Sequence, residues 1–140
     1  MMLSRPPRVI LTYGRFDGFH QGHAQFLRKL AMQADELIVG CSTDAFAHST
    51  DRPCAFPYIE RRAVLESCRY VSRVIAEHSA AQKRTDIVNY NVCTVAVGED
   101  ETGLWDHLND ITQVLYLPRL SAQSDSIFTK KYATSAAIAH

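Results

Sequence analysis

Short apolar runs, rich in β-branched residues, alternate along the chain with longer segments in which apolar residues recur at helical spacing. The apolar runs predict strands at residues 9–13, 37–41, 73–76, 94–97 and 113–117. The amphipathic segments predict helices at residues 22–33, 57–69 and 80–90, a short helical piece at 104–109 and a last helix that starts near residue 126. Because the two types alternate and the strands are apolar throughout, we expect an α/β fold: a parallel sheet of about five strands with helices on both faces, in a single domain.

Two of the predicted strands are followed by glycine and charged residues. Gly14-Arg15 follows the first strand, and Gly98-Glu-Asp100 follows the fourth. In open parallel sheets, ligands bind outside the carboxyl ends of strands, where the strand order reverses. We therefore expect the ends of the first and fourth strands to form part of a ligand site.

The segment between the first strand and the first helix carries two histidines, His20 and His23, on either side of Gly22. Gly14 and Gly22 allow a ligand to approach the backbone closely, and the N–H groups at a helix start attract phosphate. Imidazoles at positions i and i+3 near that terminus could donate hydrogen bonds to one phosphate group. Alternatively, one histidine caps the helix and the other is buried. The pattern favours a nucleotide-binding site.

Several motifs resemble those of one enzyme family. Phe16-Asp17 followed by His20-x-Gly-His23 is similar to the signature of the cytidylyltransferase-like nucleotidyltransferases. Further matches, in order, are Ser42-Thr-Asp-x-Phe46, Tyr58-x-x-Arg61, Arg69-Tyr-Val71, Gln82-Lys83 and Tyr116-Leu-Pro-Arg119. Together they resemble the bacterial glycerol-3-phosphate cytidylyltransferase branch. The resemblance implies a Rossmann-like, doubly wound sheet, a homodimer, and condensation of CTP with a small phosphorylated alcohol, such as glycerol 3-phosphate, to a CDP-linked product and pyrophosphate.

The resemblance also implies roles for individual residues. His20, His23 and Arg119 would be catalytic through contacts with the CTP phosphates. Nucleotide binding would fall to Gly14, Phe16, Gly22, Gly98 and Asp100, and substrate binding to Asp17, Arg69 and Lys83. Further candidates for nucleotide binding stand where the chain departs from the family pattern: Arg15, Arg52, Ser124 and Ser126. Mg²⁺ would be bound through the CTP phosphates, without a dedicated protein metal site.

Plain structural roles remain open for some of these residues. Lys83 could be a solvated lysine on a helix face, Asp17 a turn carboxylate that accepts backbone N–H groups, and Asp100 an ordinary turn acid. Arg69 could lie at a subunit interface, as the Arg-Tyr-Val segment does in the family. Arg61 could equally be functional or structural.

Departures from the family pattern keep other functions open. Arg15 replaces a small hydroxyl or apolar residue, and it could contact phosphate or obstruct the site. Thr50 and Arg52 stand where the glycerol-3-phosphate enzymes have two lysines, and the segment after Arg119 lacks the family's glycine. We therefore also consider the same fold acting with ATP or on an amino-alcohol or sugar phosphate, and a non-catalytic nucleotide-binding module.

Composition narrows the partners and the compartment. Lys plus Arg equals Asp plus Glu at 15 each, which argues against a nucleic-acid or membrane-surface partner. No apolar run approaches the ~20 residues of a membrane span. Residues 1–7, expected to be a flexible N-terminus, lack the apolar core of a signal peptide, so we expect a cytoplasmic protein. Residues 120–140 would form a divergent C-terminal loop and helix.

The cysteines and the remaining histidines do not form a metal-ligand pattern. No two of the four cysteines form a C-x-x-C pair, and Cys41 and Cys93 adjoin apolar runs, which predicts small buried thiols. Four further histidines are isolated in the sequence, so a zinc site is not expected.

Overall fold

The computed structural model describes residues 6–118, which form five strands and four α-helices. The strands are β1 (Val9–Gly14), β2 (Glu36–Ser42), β3 (Arg73–Glu77), β4 (Thr94–Gly98) and β5 (Gln113–Leu117). The helices are α1 (Gln21–Ala31), α2 (Asp44–Ser49), α3 (Tyr58–Ser67) and α4 (Lys83–Asn89), with short 3₁₀ turns at Ala80–Gln82, Glu99–Glu101 and Asp106–Leu108. The predicted alternation of strands and helices is confirmed.

The five strands form one parallel sheet in the order β3-β2-β1-β4-β5. β1 pairs with β2 on one side and with β4 on the other, so the strand order reverses between β1 and β4. Thr12 lies opposite Ala96, which brings the carboxyl ends of the two strands to the same edge of the sheet. The predicted doubly wound fold and its switch point are therefore confirmed.

Two apolar layers cover the sheet. Consecutive residues of β1 point to opposite faces, with Ile10 on the side of α1 and α3 and Leu11 on the side of α4. On the first face, Phe26, Leu27 and Leu30 recur at helical spacing and are buried. This apolar stripe holds α1 against the sheet, and it fixes the loop that precedes α1 at the carboxyl edge.

Some predicted boundaries are wrong. α2 has no counterpart among the predicted helices, because six residues are too few to show a helical periodicity. The segment 57–69 is helical only over Tyr58–Ser67, with Pro57 at the N-cap. Residues 80–90 divide into a 3₁₀ turn and α4, and residues 104–109 contain only a 3₁₀ turn. The last predicted helix, near residue 126, lies outside the described residues.

The prediction of two buried thiols is half right. Cys41 is buried within β2, whereas Cys93 is exposed, because it precedes the first paired residue of β4. All four cysteines are free thiols. Among residues 6–118, no helix combines the length and the apolar character that crossing a bilayer requires.

Candidate active site

The two histidines close a reciprocal capping box at the start of α1. His20 is the N-cap residue, and its Nδ1 accepts the Gly22 N–H at 2.9 Å. His23 lies at the third helical position, and its Nδ1 accepts the His20 N–H at 3.2 Å. The ring centroids lie 4.0 Å apart. Each ring is therefore oriented by the backbone N–H bond that it accepts.

These hydrogen bonds determine which nitrogen of each ring is a donor. A neutral imidazole carries one proton, and a nitrogen that accepts an N–H cannot carry it. In the neutral form of each ring the proton is therefore on Nε2, which makes Nε2–H the donor of both rings beside the start of the helix. The alternative of one capping and one buried histidine is half right, because both rings take part in the cap and neither is buried. Capping the helix and binding an anion use different nitrogens, so a cap does not exclude a phosphate contact.

A cleft of about 260 Å³ lies at the carboxyl end of β1, next to the histidine pair. It is lined by predicted site residues from the turn between β1 and α1 and from the segment after α2. These are Gly14, Arg15, Phe16, Asp17, Gly22 and His23 from the first, and Arg52 from the second. Because loops from both segments form its walls, the cleft exists only in the folded chain.

The turn between β1 and α1 has a constrained backbone. A Cβ on Gly14 would lie 2.9 Å from Cε2 of Phe16, so only glycine fits beneath that ring. Phe16 itself is buried with φ at 52°, a conformation that is rare for a residue with a bulky side chain. Strain of this kind concentrates at functional sites.

Arg15 and Arg52 border the cleft together. The Arg15 guanidinium donates to the Arg52 carbonyl at 3.1 Å and to Thr50 Oγ1 at 2.9 Å. Arg15 thus fastens the segment that follows α2 to the turn after β1. Two cationic side chains lie where an anionic ligand would enter.

Asp17 joins the same turn to the segment before α3. Its carboxylate oxygens accept the Ala55 N–H at 2.8 Å and the Phe56 N–H at 2.9 Å. The carboxylate therefore has a structural partner at each oxygen, while it also lines the cleft.

Arg61 is a buried arginine that connects three segments around the site, and its side chain is 1% exposed. Its guanidinium donates to the carbonyls of Phe56 at 2.8 Å, Arg15 at 3.0 Å and Ser42 at 2.7 Å. It also pairs with Asp44 at 2.8 Å. The structure thus places Arg61 behind the cleft, as a support for the loops that form it.

Lys83 is not a solvated surface lysine. Its side chain is 13% exposed, and its Nζ lies 3.6 Å from Oε2 of Glu77, 4.6 Å from the ring centroid of Trp105 and 5.3 Å from that of Tyr13. Glu77 ends β3, so Lys83 lies at the carboxyl edge of the sheet. Tyr13 belongs both to this group and to the cleft lining.

The polar groups around Lys83 are strongly perturbed by burial. Burial raises the pKa of Glu77, although Ser42 Oγ donates to its Oε1 at 2.7 Å and Lys83 lies beside its Oε2. Burial, together with a 2.6 Å hydrogen bond to Asp86, raises the pKa of the Tyr13 hydroxyl far above its usual value. Perturbed pKa values of this kind are typical of functional sites. Sequence reasoning missed Glu77 and Trp105, although a carboxylate at the end of an apolar strand was a usable signal.

The other predicted residues are more scattered. Gly98 ends β4 beside β1, and the exposed Asp100 lies in the 3₁₀ turn that follows. Arg69 lies at the opposite edge of the sheet, because Ser72, just beyond it, donates its N–H to Leu37 at the start of β2. The structure therefore does not bring Arg69 to the cleft. Arg119, Ser124 and Ser126 lie outside the described residues.

No group of three or more His, Cys, Asp or Glu side chains is arranged to hold a metal ion within the described part of the chain.

Comparison with known proteins agrees with this geometry. Residues 11–134 match the model of the cytidylyltransferase-like family. The chain is 36% identical to the glycerol-3-phosphate cytidylyltransferase of Bacillus subtilis, over 90% of this chain and 98% of the relative. It is 38% identical to that of Staphylococcus aureus, over 79% of this chain and 83% of the relative.

More distant matches include an ethanolamine-phosphate cytidylyltransferase of Dictyostelium discoideum, 34% identical over 69% of this chain and 28% of the relative. A lipopolysaccharide core biosynthesis protein from Thermoplasma volcanium shares the fold, with a TM-score of 0.72 at 21% identity over 83% of this chain and 100% of its own.

Proposed function

The chain belongs to the cytidylyltransferase-like family, and from that premise we propose that it condenses CTP with glycerol 3-phosphate to a CDP-linked product and pyrophosphate. The observation that carries the proposal is the pair of histidine rings whose Nδ1 atoms accept backbone N–H groups at the start of α1, so that Nε2 is the donor of each neutral ring. The relatives that cover most of this chain act on glycerol 3-phosphate by name, so ATP, other phosphate esters and a non-catalytic role are not favoured.

The site matches what this reaction demands. A phosphate oxygen of the acceptor attacks the α-phosphorus of CTP, and the bond to the β-phosphate oxygen breaks. The nucleophile is already an anion, so the enzyme needs no general base; it must offset repulsion and stabilise charge on the phosphate oxygens. We assign that role to the Nε2–H groups of His20 and His23 and to the guanidinium groups of Arg15 and Arg52.

The remaining predicted residues complete the proposal. Lys83 would attract the acceptor phosphate, Gly98 and Asp100 would contact the nucleoside, and Arg119, Ser124 and Ser126 would bind the triphosphate. Arg69 would act only through a second subunit, consistent with the homodimer that the resemblance implies. We also place the enzyme in the cytoplasm, because free cysteines are typical of reducing compartments.

Mg²⁺ would enter with the nucleotide, neutralising charge on the phosphates. Mg²⁺ typically takes one or two protein carboxylates and keeps several waters. Asp17 fits this requirement, because it lines the cleft and each of its oxygens accepts only one backbone N–H. It would hold the ion directly or through a water.

The test separates helix capping from phosphate binding. Asparagine is among the best N-cap residues, so it can replace the capping role of His20 Nδ1. Its side chain has no nitrogen in the position of Nε2, so it removes the proposed phosphate donor. We expect the free energy of unfolding of His20→Asn to lie within about 0.5 kcal/mol of that of wild type. We expect the variant to release pyrophosphate from CTP and glycerol 3-phosphate about 100-fold more slowly. His107→Asn, at an exposed position, is the matched control.

Either of two results would reject the proposal. Undiminished turnover by His20→Asn would show that the histidine pair does not bind the reacting phosphates. No pyrophosphate release by the wild type with CTP, Mg²⁺ and glycerol 3-phosphate would exclude the reaction itself.

A further inference from the structure

The helix α2 ends in a Schellman motif that fixes the segment beside the cleft. The Arg52 N–H donates to the Ala47 carbonyl at 3.3 Å, and the Asp51 N–H donates to the His48 carbonyl at 3.0 Å. Asp51 has φ at 59°, the left-handed conformation that this motif requires and that aspartate tolerates. The motif turns the chain just after Thr50. The backbone therefore sets the positions of the Thr50 hydroxyl and the Arg52 carbonyl.

These two groups hold the guanidinium of Arg15. Arg15 Nη2 donates to Thr50 Oγ1 at 2.9 Å, and Arg15 Nε donates to the Arg52 carbonyl at 3.1 Å. The Thr50 hydroxyl donates its own proton to the Ala47 carbonyl at 2.8 Å, so it acts as an acceptor towards Arg15. Because the two acceptors bind different nitrogens, they fix both the position and the plane of the guanidinium.

The guanidinium held in this way lies at the cleft and keeps donors for a ligand. Arg15 and Arg52 both line the cleft, together with His23. The bonds to Thr50 and to the Arg52 carbonyl use one N–H of Nη2 and the N–H of Nε. They leave both N–H groups of Nη1 and the second one of Nη2 for other acceptors. Parallel N–H groups of this kind match the spacing of phosphate oxygens.

We propose that Thr50 is a positioning residue for nucleotide binding, which holds the Arg15 guanidinium in the orientation that binds the polyphosphate chain. The inference rests on the proposed function, which it deepens by naming a residue outside the cleft lining that determines nucleotide affinity. An arginine side chain that is not held must be ordered when the ligand binds, and this ordering lowers the affinity. With Thr50 in place, the side chain is ordered before the nucleotide binds.

The first experiment measures the binding of inorganic pyrophosphate by calorimetry. Pyrophosphate carries no base and needs no acceptor, so the result does not depend on turnover. Thr50→Val keeps the shape of an exposed side chain and removes the oxygen that accepts from Arg15. We expect it to bind pyrophosphate about fivefold more weakly than wild type, as for the ordering of one long side chain. Thr50→Ser, which keeps the oxygen, should bind as wild type.

The neighbouring hydroxyl supplies the matched control. Ser49 is also exposed, and its Oγ donates to the Phe46 carbonyl of the same helix at 2.7 Å. Ser49→Ala therefore removes a side-chain bond to the backbone of α2 and leaves the bond between Thr50 and Arg15 in place. It should bind pyrophosphate as wild type does.

A second background shows whether Thr50 acts through Arg15. In Arg15→Ala there is no guanidinium to hold, so adding Thr50→Val should change the affinity for pyrophosphate by less than about twofold. A purely structural role of Thr50 in α2 would weaken binding equally in both backgrounds. Arg15→Lys is an independent variant that keeps the charge but cannot donate to both acceptors from separate nitrogens. We expect it to bind pyrophosphate about fivefold more weakly than wild type.

Turnover separates affinity from chemistry. The KM for CTP should rise about fivefold in Thr50→Val, while kcat stays close to that of wild type, because the held guanidinium binds ground state and transition state alike.

Three results would overturn the inference. These are no binding of pyrophosphate by wild type, wild-type affinity in Thr50→Val or Arg15→Lys, and equal losses from Thr50→Val in the two backgrounds. The proposed function fails separately, if a wild type that binds pyrophosphate does not release it from CTP and glycerol 3-phosphate. In that case the binding results still decide the role of Thr50.

Discussion

Replacing Arg61 with lysine tests whether a single buried guanidinium holds the cleft together. The guanidinium donates to three backbone carbonyls and to Asp44, at distances of 2.7 to 3.0 Å. These acceptors belong to three different segments, and an ammonium donates from one point, so it cannot reach all of them. At least two acceptors then lose their partner.

The expected loss follows from those two acceptors. A hydrogen bond to a charged group contributes about 1.5–3 kcal/mol. The Asp44 side chain is 59% exposed and can be hydrated again, so its lost hydrogen bond counts for less than one to a buried carbonyl. For two lost hydrogen bonds we therefore expect the free energy of unfolding to fall by about 3 kcal/mol. Urea unfolding, followed through the buried Trp105, measures it.

A neighbouring arginine supplies the matched control. Arg62→Lys alters an exposed pair with Glu66 that spans one helical turn, and it should cost less than about 0.5 kcal/mol. The control sets a margin of about 0.5 kcal/mol. If the free energy of unfolding of Arg61→Lys lies within that margin of wild type, the buried guanidinium does not hold these loops together.

Two further predictions concern the sheet edge. A Cβ on Gly40 would lie 2.4 Å from Cδ1 of Tyr13, so Gly40→Ala should displace that ring and lower the free energy of unfolding by about 2 kcal/mol in urea titrations; an unchanged midpoint would contradict this. The Tyr58 N–H, followed by Arg61, lowers the pKa of Asp44 below its usual 3.8. A carboxyl whose pKa is lower in the folded than in the unfolded chain stabilises the fold fully above the unfolded pKa. That stabilisation is lost as pH falls through the folded pKa. Wild type should therefore exceed Asp44→Asn in free energy of unfolding by about 1 kcal/mol at pH 6, and a gap that does not shrink as pH falls below 3.8 would refute the assignment.

Local sequence signals predicted the fold and the centre of the site. The strand at residues 9–13, the glycines and the His-x-Gly-His spacing are contiguous, and they place the turn and the start of α1 without long-range information. Parallel pairing then brings the end of β4 beside the end of β1 as a consequence of the right-handed crossover topology.

The surroundings of Lys83 and Arg61 could not be predicted in this way. Tyr13, Glu77 and Trp105 are far apart in sequence, and only the folded sheet brings them around Lys83. A charged side chain is also expected at the surface by default, so the burial of Arg61 has no sequence signature. The six residues of α2 were missed although Thr43 caps it, because a cap alone does not distinguish a helix from a turn.

The capping box has a consequence for how activity fails on heating. Each histidine ring is oriented by a backbone hydrogen bond within the first turn of α1, so the two proposed phosphate donors become ordered only when that turn forms. Helix ends open locally at a lower free energy than the core strands. Inactivation should therefore begin while the sheet is intact, and phosphate bound at the turn should delay both together.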